Sequence, residues 1–176
     1  MKIRFIIFAS VIIIGCTKTA PRKPINPKGS TTILKETVLE SKRLNENEEH
    51  KILSLIELDS TRHYTVSSNG FWYTYINKVE ENTPTPKLGD IVELEYNITD
   101  LEGNVIYSEE ELGVKEYKVD KEDFISALQV GIKLMKVGET ITFVIPSYNA
   151  FGISGDRNKI GINQSIKSTV TLINIK

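Results

Sequence analysis

Residues 123–152 read DFISALQVGIKLMKVGETITFVIPSYNAFG. Phe124, Leu128 and Ile132 fall four apart with Ile125 beside them, the spacing of one helix face, which predicts a helix over Asp123–Met135. From Glu139 to Ile145 the period changes to two, with Ile141, Phe143 and Ile145 alternating, and the segment reads as a strand. A proline, two aromatic residues and a glycine follow. No nucleophile stands there with a base beside it.

On either side of this segment the chain is strand-rich. Phe71–Val79, FWYTYINKV, is aromatic and β-branched and predicts a strand, which Asn82–Pro86 interrupts with two prolines. In Ile91–Thr99, IVELEYNIT, the residues Val92, Leu94, Tyr96 and Ile98 share one face. Asp100–Asn104 makes a turn, and Val105–Tyr107 resumes the sheet. Tyr117–Val119 is a further short strand, and Thr169–Ile175 closes the chain as another. Many strands with one short helix before the last two give an α+β class. A doubly wound fold requires alternating helices, which the sequence lacks.

The totals narrow the function. A chain of 176 residues with 40% apolar content builds one modest core plus extensions. A formal charge of −1 gives no broad basic surface for nucleic acid. The single cysteine excludes an intrachain disulfide and any multi-cysteine metal site. Two histidines, His50 in a charged stretch and His63 in a polar break, read as solvated surface residues and leave little for a zinc centre. No metal or cofactor is expected.

The first residues read as an address. In MKIRFIIFASVIIIGC, Lys2 and Arg4 precede an apolar run, Phe5–Ile14, that is too short for a spanning helix of ~20 residues and has the length of a signal-peptide core. Ile13-Ile14-Gly15-Cys16 resembles a bacterial lipobox, with isoleucine in place of the usual leucine at its first position. That resemblance implies cleavage after residue 15 and a lipid on Cys16. An ordinary secretory signal with a chance cysteine, or an uncleaved anchor, is the alternative. Residues 16–30 then form a tether in which Pro21, Pro24 and Pro27 recur every third position and favour an extended chain. At ~3.1 Å per residue it reaches roughly 40 Å from a membrane.

Residues 31–63 read as a helical arm. Ser30 or Thr31 suits a cap, and Leu34, Val38, Ile52, Leu55 and Ile56 fall on an apolar side. Lys42–Lys51 is nearly all polar, so the helix is either long and weakly packed or broken near Asn45–Asn47. The arm pairs with a second copy of itself as a dimer, or it lies against its own domain or free in solvent. From Tyr64 the texture becomes that of a sheet, which sets a domain over 64–176.

The order of segments is specific. KLGDIVELEYNITDLEGNVIYSE (87–109) resembles the opening of an FKBP-type peptidyl-prolyl isomerase domain. DFISALQVGIKLMKVGETITFVIPSYNAFG resembles that family's central helix, its exit turn, and the strand and loop that follow, and KIGINQSIKSTVTLINIK (159–176) its closing strand. With the lipobox, the tether, GFWYTY and VDKEDF, the chain is most similar to the gliding-motility-associated FKBP-type lipoproteins of Bacteroidetes. The resemblance implies a curved antiparallel sheet wrapped round one short helix. It also implies proline-containing protein or peptide substrates and a place in the cell envelope, lipid-anchored at the outer membrane and facing the periplasm.

The chemistry so implied explains the missing dyad. An X-Pro amide rotates over a barrier of ~18–20 kcal/mol because resonance flattens it. The two isomers are close in energy, so acceleration requires only a better environment for the twisted form. A dry apolar cradle supplies it without acid, base or metal.

Carried over residue by residue, the resemblance puts Tyr96 on the strand tyrosine, Phe124 and Ile125 on the pair at the helix start, and Ile160 on the loop isoleucine. The Ile125 amide is expected to donate to a substrate carbonyl from a first turn whose amides lack partners. Elsewhere the chain departs from the pattern. Leu128 stands for the pocket-floor tryptophan, Ile106 for a flanking phenylalanine, Tyr107 for the aspartate beside it, and Phe151 for the tyrosine whose hydroxyl bonds substrate. Ser168 stands for a phenylalanine of the last strand. Tyr96, Phe124, Leu128 and Phe151 are also ordinary core residue types. A catalytic isomerase and a non-catalytic binding or chaperone module on the same scaffold therefore both remain, and a fixed component of a motility apparatus is a third reading.

Overall fold

The computed structural model describes residues 30–176, with side chains from Leu34 onward. The signal segment, the lipobox cysteine Cys16 and the tether as far as Gly29 lie outside the described residues. The chain divides into Met1–Val38 and Leu39–Lys176, and the sheet and the site belong wholly to the second unit. That unit takes in the arm from Leu39 onward.

The arm is one continuous helix, α1 (Ser30–Leu58, 29 residues), without a break at Asn45–Asn47. Among the described residues no helix is long and apolar enough to cross a membrane. Leu39 and Leu44 are exposed. Asn45, Glu48, Glu49, Ile52, Leu55 and Ile56 form the covered face, three or four apart. This face carries two carboxylates, so hydropathy alone marks it poorly.

Eight strands form one antiparallel sheet: β1 (Thr65–Val66), β2 (Trp72–Asn77), β3 (Ile91–Tyr96), β4 (Ile98–Thr99), β5 (Val105–Tyr107), β6 (Lys115–Lys118), β7 (Thr140–Ile145) and β8 (Ile166–Ile175). The main path runs β1-β2-β7-β8-β3-β6, with β4 pairing β5 and β8. The expected strand over Ile91–Thr99 is divided at Asn97. Its side-chain oxygen accepts the Thr169 amide at 3.0 Å and its carbonyl accepts the Ser168 hydroxyl at 2.7 Å, so Asn97 still ties to β8 where the strand is interrupted.

β7 is buried on both faces. Ile141, Phe143 and Ile145 face the main core with Phe71, Leu94, Val170 and Leu172. Val144 faces the other way, in a second cluster with Ile52 of α1, Trp72 and Leu101. The pairing of Trp72 with Val144 and of Tyr73 with Phe143 keeps the two faces in register. The C-terminal half of α1, through Ile52, Leu55 and Ile56, thus covers the side of the sheet opposite the main core.

The central helix is shorter than the periodicity predicts. α2 (Glu109–Leu112) is a single capped turn, with the Ser108 hydroxyl accepting the Glu111 amide. α3 spans only Ser126–Gly131, and Ile132–Leu134 tightens into a 3₁₀ turn. Asp123, Phe124 and Ile125 are not helical: Ile125 is extended, at φ −57° and ψ 123°, and its carbonyl accepts the Gln129 amide at 3.0 Å. Apolar residues at helical spacing extended the prediction over this segment, but it is the approach to the helix, not the helix itself, that buries Ile125 and half-buries Phe124.

Candidate active site

A hollow of about 400 Å³ opens beside the start of α3, lined by Tyr96, Ile98, Tyr107, Leu112, Lys115, Phe124, Ile125, Phe151 and Asp156. Each element delivers its side chain for a local reason. β3 alternates, so Tyr96 shares the inward face with Val92 and Leu94. The non-helical Phe124-Ile125 segment packs its side chains on the core before the helix begins. The Pro146 corner stops β7, and a 3₁₀ turn, Ser147–Asn149, brings Phe151 round.

The aromatic wall is ordered by ring packing. Tyr96 meets Phe124 edge to face at 5.4 Å and 90°, and Phe124 meets Tyr117 at 5.3 Å. The Lys115 ammonium lies 5.1 Å from the centre of the Phe124 ring. Burial raises the Tyr96 phenol above its ordinary pKa. Among the described residues none hydrogen-bonds its hydroxyl, a polar group in a mostly apolar recess.

Tyr107 lies in the wall and does not plug the hollow. Its hydroxyl donates to Oδ2 of Asp156 and accepts from Nδ2 of Asn158 at 3.0 Å. The Asp156 carboxylate also accepts the amides of Asn158 and Ile160, each at 2.8 Å, through Oδ1. Lys159 stands 4.6 Å from the Tyr107 ring centre and pairs with Glu111 at 2.5 Å.

Of the residues singled out from sequence, Tyr96, Tyr107, Phe124, Ile125 and Phe151 come together in the hollow. Leu128, Ile106 and Ile160 are not in its lining. Leu128 is fully buried within the core, Ile106 packs partly buried against it, and Ile160 is buried with its amide held by Asp156. Ser168 is likewise buried, bonded to the Asn97 carbonyl. No described carbonyl accepts the Ile125 amide, which leaves that donor available at the helix start. Sequence reading missed Lys115, Leu112, Ile98 and Asp156. Lys115 and Asp156 are charged residues in unremarkable surroundings, and only the pairing of β6 with β3 and the fold of the loop after β7 bring them to the recess.

The sequence profile of the FKBP-type peptidyl-prolyl cis-trans isomerase family matches residues 82–173, over half of the chain. The chain belongs to that family. It is 34% identical over 89 residues to the peptidyl-prolyl cis-trans isomerase FKBP10 of Bos taurus, a match that covers 50% of this chain and 15% of the bovine protein. Among solved structures, a peptidyl-prolyl cis-trans isomerase of Pseudomonas syringae pv. tomato superimposes with a TM-score of 0.62 at 18% identity, covering 77% of this chain and 96% of that one. FkpA of Escherichia coli superimposes with a TM-score of 0.61 at 21% identity, covering 85% and 74%. At these identities the two structures speak for the fold, which is the FKBP-like mixed sheet and helix.

Proposed function

We propose that this FKBP-type chain rotates X-Pro bonds of cell-envelope proteins in the hollow beside α3, anchored to the membrane by a lipid on Cys16. The observation that carries the reading is the open, largely apolar recess with aromatic walls and two uncommitted donors, the Tyr96 hydroxyl and the Ile125 amide. A proline ring seated against Phe124 and Phe151 leaves water. Rotation about the preceding amide lowers the polarity of its carbonyl, so a dry site favours the twisted form over the planar one. The Ile125 amide holds the substrate backbone while the bond turns. None of these steps transfers a proton.

The envelope location rests on Lys2–Cys16 and the proline-rich tether, and the likeness to gliding-motility lipoproteins on these together with GFWYTY and VDKEDF, all of them sequence features. The test of the activity is the cis-trans relaxation of a proline tetrapeptide with and without the purified chain. Acceleration proportional to protein concentration supports the reading. A rate equal to buffer, with retained suppression of client aggregation, leaves a binding or chaperone module. The test of the anchor is a Cys16→Ser chain, expected to move from the membrane fraction to the soluble fraction.

A further inference from the structure

We propose that Glu48 of α1 is a positioning residue for the hollow, and that a helix outside the family-matched segment therefore shapes the site. The catalytic part of this proposal rests on the isomerase reading above. One Glu48 carboxylate takes three donors: the Ser147 amide at 2.8 Å, the Ser147 hydroxyl at 2.7 Å and the Ser165 hydroxyl at 2.9 Å. Ser147 is only 2% exposed, so these bonds are largely shielded from water.

The two serines stand at meaningful places. Ser147 comes just after β7, and Ser165 just before β8. The excursion between them carries Phe151 and Asp156, both in the lining of the hollow. Glu48 thus draws together the two feet of the loop that supplies one wall. Ile52, one turn further along the same helix face, is fully buried against Trp72 and Val144 and fixes where Glu48 sits. Glu49 adds a bond from the Tyr148 hydroxyl at 2.8 Å. The residues matched by the family profile begin at 82, so Glu48, Glu49 and Ile52 lie outside them, whereas Ser147, Tyr148 and Ser165 lie within.

Removing the carboxylate leaves the helix seated by Ile52 but frees the feet of the loop. Small displacements of a substrate-contacting wall cost catalysis steeply. The full chain carrying Glu48→Ala is compared with the parent and with Glu48→Gln. Gln keeps one acceptor oxygen for the Ser147 amide and offers an amide group to a serine hydroxyl. Trp72, the only tryptophan, packs in the cluster with Ile52 and reports the seating of the helix by its emission.

The expected result for Glu48→Ala is unchanged Trp72 emission and amide exchange over 147–151 at least roughly tenfold faster. Its kcat/KM for a proline tetrapeptide is expected to fall roughly tenfold, with most of both effects recovered in Glu48→Gln. Parental exchange and parental kcat/KM in Glu48→Ala overturn the proposal. So does a shift of Trp72 emission with Glu48→Gln equally impaired, because that marks general unseating of the helix. If the parent itself accelerates nothing, the isomerase reading fails, and exchange over 147–151 still decides whether Glu48 orders this loop.

Discussion

The Tyr107 hydroxyl donates to the Asp156 carboxylate, and both side chains line the hollow. Asp156 is the hub of the loop after Phe151: besides Tyr107 it holds the amides of Asn158 and Ile160. Tyr107→Phe keeps the ring against Lys159 and removes the hydroxyl. The loss is about 1 kcal/mol, a typical net hydrogen bond, or roughly 2–4 °C in the melting midpoint of a domain of this size. The apolar wall survives, so the isomerase rate should change less than about threefold. Thermal denaturation and the tetrapeptide assay check both outcomes, and a rate loss far beyond that range would mean the hydroxyl itself meets substrate.

The same hub predicts an acid sensitivity. Burial pushes the Asp156 carboxyl upward, but the Tyr107 hydroxyl and the two loop amides outweigh it and hold the carboxyl below its ordinary value. A group depressed in the folded state stabilises above its unfolded pKa of ~3.9, and that contribution is lost as pH falls through the folded value. The parent should therefore lose stability relative to Asp156→Asn as pH drops below about 4, and the difference should be flat above about 5. Paired denaturant titrations across pH 3–7 measure it; a difference that grows toward neutral pH instead would contradict the assignment.

Much of this fold was legible. The period-two alternation of Ile91–Tyr96 marks a strand whose inward residues are the buried ones, and that of Thr140–Ile145 marks a strand that the fold buries on both faces. The order of segments named the family that the profile match shows. The central helix was overextended because Phe124 and Ile125 keep helical spacing while their backbone is not helical. Leu128 matched a pocket position by alignment, but its burial removes it from the lining. The polar half of the site was not readable. Glu48 sits in NENEEH and looks like any solvated acid, and its partner Ser147 is 99 residues away. Asp156 meets Tyr107 across 49 residues. Such pairs exist only once the sheet has closed, and no local pattern announces them.

Gly131, the last residue of α3, lies close against the sheet. A Cβ there would lie 2.4 Å from one ring carbon of Phe143 and 2.8 Å from another. Phe143 is fully buried and packs edge to face on Phe71 at 5.9 Å, so its ring has little room to yield. Gly131→Ala gains helix propensity of about 1 kcal/mol, yet overpacking costs about 1–3 kcal/mol. The net expectation is destabilisation, read as a lower denaturant midpoint with an unchanged m-value. A double change, Gly131→Ala with Phe143→Leu, should recover part of the loss, since the smaller side chain vacates the clash.

Phe151 offers a direct measure of what the hollow lacks. Its ring is half-buried in the lining, and the family resemblance places a substrate-bonding tyrosine hydroxyl at this position. Phe151→Tyr restores a donor on a wall that already faces the substrate, and does so without shortening the side chain. If that hydroxyl bonds the substrate carbonyl more strongly in the twisted state, it contributes about 1 kcal/mol, which is about fivefold in kcat/KM. Phe151→Leu keeps an apolar surface but loses the ring face, and should lower kcat/KM several-fold with little change in melting midpoint. Both are read by tetrapeptide relaxation under one set of conditions. A tyrosine that leaves the rate unchanged, together with a leucine that does the same, would place the substrate away from Phe151 and move the reactive part of the hollow to the side formed by Tyr96 and Phe124.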